Sequence, residues 1–254
     1  MRFISHLILG LVISGYALAN PIDTSCPQHV VWGAPQIAVE GNNQYLCRTG
    51  YAVNYNYQTK VAYWVAEVIK PELLVNKAVS RKDDFREDPE IPAPYRVTLK
   101  DYVGSGLDRG HMAPAANFTY DAGVMSESFL LSNMMPQSPG NNRGIWKYLE
   151  ETTRYWASKY GHLNIITGTI FDANSPTMGN GVKVPSFVYK IVIDPKRNAA
   201  IAFMFPNSKL DPKDIEKYVV SISDIEQYTG INFSPMIPAN LKALETNKGN
   251  YKDW

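Results

Sequence analysis

Residues 186–206 constrain the fold most strongly. Two apolar segments, SFVYKIVID and AAIAFMFP, flank the short polar stretch PKRN. Such β-branched and aromatic segments on both sides of a turn predict a β-hairpin. Residues 51–69 have a similar composition and predict two strands around a turn at Asn56–Thr59. Residues 162–172, HLNIITGTIFD, predict a buried strand, so β-sheet must form a large part of the chain.

The clearest helix is predicted for the segment NNRGIWKYLEETTRYWASKYG. Asn142 can serve as its N-cap, and Gly161 is a suitable stop. Ile145, Leu149 and Trp156 fall on one side at helical spacing, which predicts the face that packs against the core.

Two further segments complete the outline of the fold. Residues 211–230 contain helical patterning that ends at a glycine, and the charged, proline-rich residues 81–96 predict a loop. Strands and helices do not alternate regularly as they do in a doubly wound fold. The predicted fold class is therefore α+β, a single domain with antiparallel sheets packed with helices.

Composition restricts the kind of partner. The chain has 254 residues, of which 45% are hydrophobic, so it can bury a core of ordinary size. Its 25 basic and 24 acidic residues give a formal charge of +1. Any binding of nucleic acid must therefore come from a local basic patch rather than from the field of the whole protein.

Residues 1–19 are predicted to be a signal peptide. Arg2 precedes the apolar run Leu7–Ile13, and Ala17-Leu18-Ala19 has the pattern of a cleavage site. The alternative is a membrane anchor, but the run is shorter than the roughly 20 residues that span a bilayer. We therefore expect a secreted or periplasmic domain of residues 20–254, with no membrane association once the signal is removed.

The two cysteines fit an exported protein. Cys26 and Cys47 are the only cysteines, and twenty residues separate them. In an oxidising compartment the simplest expectation is one disulfide between them. Two free buried thiols are the alternative.

The stretch DRGHMAPAANF is the first candidate for chemistry. It places Asp108, Arg109 and His111 within four residues. An isolated histidine is most often an ordinary residue with a single hydrogen bond, and four residues are a weak motif. The interpretation therefore depends on the residues that follow.

Four amide side chains follow in the segment SNMMPQSPGNN. They are Asn133, Gln137, Asn141 and Asn142, and the helix with Glu150 and Arg154 comes directly after them. Caps and turns explain some amides at such a place. An amide oxygen is also a suitable ligand for Mg²⁺, which prefers oxygen and keeps several of its waters.

These motifs resemble the DNA/RNA non-specific endonucleases with a ββα-metal active site, a family that includes endonuclease G. The resemblance rests on DRGHMAP, SNMMPQ and NNRGIWKYLEETTR in this order and spacing, and it extends over most of the chain after residue 50. It implies a ββα-metal nuclease fold, a Mg²⁺ cofactor, and DNA and RNA as substrates. Mn²⁺ accepts similar oxygen ligands and is the alternative metal. It leaves a homodimer open.

The resemblance also implies roles at the reaction centre. His111 matches the general base, Asn142 matches the metal ligand, and Glu150 matches the acid that helps to fix the metal's water shell. A neutral histidine with an ordinary pKa of about 6.5 can take a proton from water. Each keeps a simpler interpretation: Asn142 as an N-cap, and Glu150 with Arg154 as an exposed ion pair at i,i+4.

Three basic residues are implied to contact phosphate. Arg109 matches the arginine of the DRGH motif, and Arg154 matches a phosphate-contacting arginine. Lys60 lies where the family has a basic residue before the WVA strand. Asp108 is expected to orient the motif.

The predicted function is thus an exported, Mg²⁺-dependent endonuclease that hydrolyses phosphodiester bonds in DNA and RNA. One rival is a phosphodiesterase that acts on small phosphate esters. The other is a nucleic-acid-binding protein without catalysis, against which the complete set of His111, Asn142 and Glu150 argues.

Overall fold

The structure is a computed structural model that describes residues 21–37, 41–237 and 239–254. The predicted signal peptide, residues 1–19, lies outside the described residues. No helix within the described ranges is long and apolar enough to cross a membrane.

Seven of the described strands form one antiparallel sheet in the order β12-β11-β10-β7-β4-β3-β2. The remaining strands pair two by two, as β1-β13, β5-β6 and β8-β9. The strands are β1 (Gln36–Ile37), β2 (Asn43–Cys47), β3 (Ala52–Asn56), β4 (Val61–Ile69), β5 (Asp108–His111), β6 (Met134–Gln137), β7 (Leu163–Ile170), β8 (Thr177–Met178), β9 (Val182–Lys183), β10 (Phe187–Asp194), β11 (Ala199–Pro206), β12 (Val219–Val220) and β13 (Ile231–Asn232).

The three predicted strand regions are confirmed. β3 and β4 pair around a turn in which Asn56 Oδ1 accepts hydrogen bonds from the backbone of Gln58 and Thr59. β10 and β11 form the predicted hairpin, where Asp194 accepts from the backbone of Lys196 and Arg197. Every residue of β7 is buried, as expected for a strand between two others.

The helices are α1 (Pro21–Ser25), α2 (Pro71–Leu74), α3 (Ala122–Glu127), α4 (Lys147–Tyr160) and α5 (Ile222–Thr229). The helical pattern of residues 211–230 is divided into a 3₁₀-helix at Pro212–Tyr218, strand β12 and helix α5. Gly230 ends α5 with φ 67°, a conformation that glycine adopts readily. The predicted loop at 81–96 is irregular apart from an isolated β-bridge between Arg86 and Leu130 and a 3₁₀ turn at Ala93–Tyr95.

The start of helix α4 differs from the prediction. Residues Asn141–Trp146 form a π-helical segment that is interrupted at Gly144, where φ is −105° and ψ is −111°. No side chain caps this segment, so Asn142 is not the N-cap. The predicted stop at Gly161 is confirmed.

The large sheet has a buried cluster on each face. Val65 and Ile165 belong to one cluster, and their neighbours Trp64 and Ile166 belong to the other, because successive strand residues point to opposite faces. Helix α4 packs on the first face through Leu149, and helix α5 packs on the second.

The N-terminal arm is attached to this second layer. Cys26 and Cys47 form the predicted disulfide, with their Cα atoms 5.4 Å apart. The bond joins the arm after α1 to the end of the edge strand β2.

Candidate active site

The DRGH motif is strand β5, and it pairs antiparallel with β6 from Asp108 opposite Gln137 to His111 opposite Met134. Gly110 is required at the centre of this pair. A Cβ atom there would lie 2.0 Å from Gln137 Oε1, so a larger residue would displace the buried side chain of Gln137. Strands β5 and β6 together with α4 form a ββα unit on one face of the large sheet.

Three of the four clustered amides support this unit from within the core. Asn133 Oδ1 accepts from Ala113 N at 3.0 Å, and its Nδ2 donates to Ala113 O and Ser128 O. Gln137 Nε2 donates to Asn141 Oδ1 at 2.6 Å, and Asn141 donates to the carbonyl of Pro206. All three are fully buried, so they fix the backbone around His111.

Asn142 is arranged differently. Its Nδ2 donates to Asp108 Oδ2 at 2.9 Å, and Arg143 donates to both oxygens of the same carboxylate at 2.7 and 2.8 Å. Asp108 therefore fixes the amide of Asn142 through its nitrogen and does not use the amide oxygen. This agrees with the orienting role expected for Asp108.

A cleft of about 430 Å³ brings most of the predicted site residues together. We call it the reaction cleft and define it by six of the charged and polar residues that line it: Arg81, Arg109, His111, Asn142, Glu150 and Arg154. Five of these six were expected from the sequence, and Arg81 was not. Arg143, Lys147 and Glu151 also line it.

His111 lies at the wall of this cleft in an aromatic setting. The ring centroids of Phe129 and Phe85 are 5.0 and 5.6 Å from that of the imidazole. Trp146 Nε1 donates to the backbone carbonyl of His111 at 3.3 Å. The side chain is 7% exposed, and its Nε2 is buried without a hydrogen-bond partner. Buried polar atoms are rarely left unpaired, and exceptions often have a functional reason.

The charge state of His111 follows from this setting. Burial lowers the pKa of His111 to about 3, and the nearby cations Arg81 and Arg109 contribute to this low pKa against the opposing effect of Asp83. The imidazole is therefore neutral at physiological pH, and it is a weak base as long as no negative charge is bound beside the two arginines.

The two arginines beside His111 are held by the same aromatic rings. The guanidinium carbon of Arg109 is 4.3 Å from the centroid of Phe85, and that of Arg81 is 5.2 Å from the centroid of Phe129. Cation–π contacts of this kind orient a guanidinium while its N–H groups stay available for an anion. Arg81 also donates to Asp83 at 2.7 Å.

Arg154 does not form the exposed ion pair with Glu150 but is half-buried and joins a chain of hydrogen bonds that leads into the core. Its Nη1 donates to Asn117 Oδ1 at 3.2 Å, and Asn117 Nδ2 donates to Glu67 Oε2 at 2.9 Å. The surface i,i+4 ion pair of this helix is formed by Lys147 and Glu151 instead.

A buried charge cluster lies behind the cleft. Burial raises the pKa of Glu67 and of Glu150 to about 7, and the cation Lys190 opposes this rise in both. Lys190 is 2% exposed, its Nζ donates to Thr167 Oγ1 at 2.5 Å, and it lies 4.9 Å from the ring centroid of Trp146. Burial lowers the pKa of Lys190, and the two carboxylates act against that shift.

Lys60 is not part of the reaction cleft. It occupies the turn between β3 and β4 with φ 56°, and its charge acts on the carboxylate of Asp101. Asp101 caps a 3₁₀ turn that begins after Thr98. The position before the WVA strand thus places this lysine at a turn outside the lining of the reaction cleft, and its contact with substrate stays a prediction.

The donor atoms in the cleft suit a hard cation that retains water. Within the described part of the chain, no group of three His, Cys, Asp or Glu side chains could hold a metal ion. The amide of Asn142 and the carboxylate of Glu150 are oxygen donors that line the same cleft, and the further carboxylate there, of Glu151, is paired with Lys147. One amide oxygen and a nearby carboxylate fit Mg²⁺, which is often bound through few protein ligands.

Comparison with known proteins agrees with this geometry. A sequence profile of the DNA/RNA non-specific endonucleases matches residues 33–240. The chain belongs to the DNA/RNA non-specific endonuclease family. The mitochondrial endonuclease G of Homo sapiens is 33% identical over 229 residues, which cover 84% of this chain and 75% of that protein. A nuclease of Nostoc sp. is 34% identical over 228 residues, which cover 85% and 82%.

A solved structure supports the fold of this nuclease. The crystal structure of an EndoG/EndoGI complex matches with a TM-score of 0.76 and 29% identity, and it covers 84% of this chain and 92% of that chain. The predicted α+β ββα-metal nuclease fold is therefore confirmed. That structure describes the inhibition of EndoG in its complex with EndoGI.

Proposed function

We propose that this nuclease is an exported, Mg²⁺-dependent enzyme that cleaves DNA and RNA without regard to the sugar, with His111 as general base. The observation that carries the proposal is the convergence of His111, Asn142 and Glu150 in one cleft with four arginines. Family membership supports the reaction, and the geometry supports the assignment of residues to roles.

The proton is taken by His111. A water molecule attacks phosphorus in line with the leaving 3′ oxygen, and His111 accepts the proton of that water. The new P–O bond forms as the P–O3′ bond breaks, and the leaving 3′ oxygen takes a proton from solvent water. The products are a 5′-phosphate and a 3′-hydroxyl. Because the imidazole is neutral before substrate binds, no deprotonation must precede the attack.

Substrate binding makes His111 a stronger base. The cations Arg81 and Arg109 contribute to the low pKa of His111. A phosphate bound between them offsets their positive charge, and its own negative charge favours the imidazolium. The pKa of His111 therefore rises in the complex, where the proton has to be accepted.

The remaining residues of the cleft bind the metal ion and the phosphate and stabilise the negative charge that develops during the reaction. Mg²⁺ would be held by the amide oxygen of Asn142 and, through a bridging water, by Glu150. The ion would act as a Lewis acid that stabilises charge on the phosphate and the leaving oxygen. Arg109 and Arg154 donate hydrogen bonds to the phosphate as its negative charge develops. None of these contacts involves a 2′-hydroxyl, so both sugars are accepted.

The export part of the proposal rests on residues 1–19 and on the disulfide. The apolar run and the Ala17-Leu18-Ala19 pattern support removal of a signal peptide, and the Cys26–Cys47 bond suits an oxidising compartment. Expression of the full chain followed by mass measurement of the exported product tests this. A mature N-terminus near Asn20 is expected, and an intact N-terminus on a cell-retained protein contradicts export.

The reaction is tested by digestion of supercoiled plasmid and of RNA with purified mature protein, with and without a chelator. We expect cleavage of both polymers and loss of both activities with the chelator. A small mononucleotide ester is assayed in parallel. Turnover of the ester without cleavage of polymer favours a different phosphodiesterase, and binding without any cleavage favours a non-catalytic protein.

A further inference from the structure

A second groove adjoins the reaction cleft. We call it the side groove and define it by Leu74, Lys77, Val79, Ala116, Arg154 and Tyr155, which lie along its wall. Its volume is about 600 Å³. Arg81, Ala116 and Arg154 line both cavities, so the two adjoin at these side chains. A strand with one phosphate in the reaction cleft can therefore continue into the side groove.

The charges of the side groove fit a polyanion. Lys77, Arg81 and Arg154 line it, and its described lining contains no aspartate or glutamate. The reaction cleft, in contrast, contains Glu150 and Glu151 among its lining residues. All charged side chains that line the side groove are thus cations, of which Arg81 is paired with Asp83, and they complement the phosphates on either side of a nucleotide.

Tyr155 gives the groove an aromatic surface. It follows Arg154 on helix α4 and is 61% exposed, and the apolar side chains Leu74 and Val79 line the same groove. An exposed ring beside apolar side chains and cations is the usual platform for an unpaired base, since every base has a π-face that can stack on it.

We propose that the side groove binds the unpaired base of the nucleotide next to the cleaved phosphate, with the base stacked on Tyr155 and the following phosphate near Lys77. The inference rests on the proposed function, because it assigns a subsite to the same enzyme. The occupant is a single strand of DNA or RNA. A base that is paired in a duplex is turned towards its partner strand and does not reach Tyr155.

Binding measurements separate this subsite from catalysis. His111→Ala serves as the reference protein, since it is designed to bind without cutting. Three fluorescent ligands are compared by anisotropy: a short oligothymidylate, an abasic strand of the same length, and the oligothymidylate paired with oligoadenylate. Tyr155→Ala is introduced into the reference protein. Tyr228→Ala is the matched control, because Tyr228 is 60% exposed on helix α5 on the other side of the sheet.

We expect Tyr155→Ala to weaken binding of the oligothymidylate roughly tenfold, the usual effect of losing one stacked base. Binding of the abasic strand and of the duplex should not change, and Tyr228→Ala should match the reference protein on all three ligands. An equal loss on the oligothymidylate and the abasic strand, or no loss on the oligothymidylate, overturns the stacking of a base on Tyr155.

Lys77→Gln tests the phosphate contact. It should reduce the slope of log affinity against log salt for the oligothymidylate by about 0.7, the value for one phosphate of a single strand. Lys196→Gln, on the turn between β10 and β11, is the control and should keep the slope. An unchanged slope in Lys77→Gln contradicts the contact. Failure of the proposed function has a different signature, namely a parent protein that binds these strands normally and cuts none of them.

Discussion

The guanidinium of Arg154 is 3.2 Å from Oδ1 of Asn117, and the same amide donates to the buried carboxylate of Glu67 at 2.9 Å. Asn117 is thus a positioning residue that links a cation of the reaction cleft to a charge in the core. Because the side chain of Asn117 is 5% exposed, it gives the half-buried Arg154 a fixed hydrogen-bond partner at the wall of the cleft.

A double-mutant cycle tests this link. Arg154→Ala alone should reduce kcat/KM for cleavage of DNA strongly, and Asn117→Ala should reproduce part of that loss. The combined variant should be little worse than Arg154→Ala, because residues that act through one contact are not additive. Thermal unfolding of each variant is measured so that the assay is run on folded protein. Additive losses contradict a shared role.

The pH dependence of stability tests the buried charge of Glu67. Burial raises the pKa of Glu67 in the folded protein to about 7, above its ordinary value of about 4.5. A group with a raised folded pKa contributes stability that is complete below the unfolded pKa and is lost as the pH rises through the folded pKa. From pH 4.5 to pH 8 the parent protein should therefore lose stability relative to Glu67→Gln.

Urea unfolding of the two proteins across this range measures the effect. Glu216→Gln is a suitable control, since Glu216 is an exposed glutamate outside the cluster. It should follow the parent at every pH. If Glu67→Gln also follows the parent from pH 4.5 to pH 8, the carboxylate of Glu67 is not held in the way described.

Mutations of the neighbouring residues Asn141 and Asn142 should change different properties, namely the stability of the protein and its Mg²⁺ requirement. Asn142→Ala should raise the Mg²⁺ concentration that gives half-maximal rate, because it removes the amide oxygen of the cleft. Asn141→Ala should lower the melting temperature and keep the Mg²⁺ requirement, since Asn141 is fully buried and bonded to Gln137 and Pro206. Glu150→Gln should reduce the rate while metal is still bound. The test is the cleavage rate of the three variants as a function of Mg²⁺ concentration. A larger increase of the half-maximal Mg²⁺ concentration in Asn141→Ala than in Asn142→Ala contradicts Asn142 as the metal ligand.

The disulfide should affect stability and not turnover. It closes a loop with a sequence separation of 21 between Cys26 and Cys47, which corresponds to about 3 kcal/mol in the chain-entropy model. The double variant Cys26→Ser, Cys47→Ser should lose stability of this order and keep kcat below its melting temperature. A loss of kcat in folded protein is the outcome that contradicts this role.

Much of the site could be predicted because its residues are close in the sequence. Strand β5, strand β6 and helix α4 lie within residues 108–160, so the positions of His111, Asn142 and Glu150 follow from one local ββα unit. The strands of the large sheet could be predicted equally well from the sequence, because their apolar segments and turns carry clear local signals.

The other parts of the site depend on contacts between segments that are distant in the sequence, and these contacts could not be predicted. Arg81 and Phe85 belong to a charged stretch that predicts only a loop, and their place beside His111 is set by packing on Phe129. Glu67 and Lys190 lie inside strands of apolar character, where one charged residue does not reveal its partners. Lys60 shows the same limit, because its sequence position before a strand does not fix the direction of its side chain.

The central claim is that His111 activates water for cleavage of phosphodiesters in both DNA and RNA. The direct test is the initial rate of cleavage of matched DNA and RNA oligonucleotides at saturating Mg²⁺ by the parent enzyme and by His111→Ala. We predict that the parent cuts both and that His111→Ala, folded by circular dichroism, is about 10²–10⁴-fold slower on both. Near-normal rates in folded His111→Ala, or cleavage by the parent of RNA alone, would contradict the account.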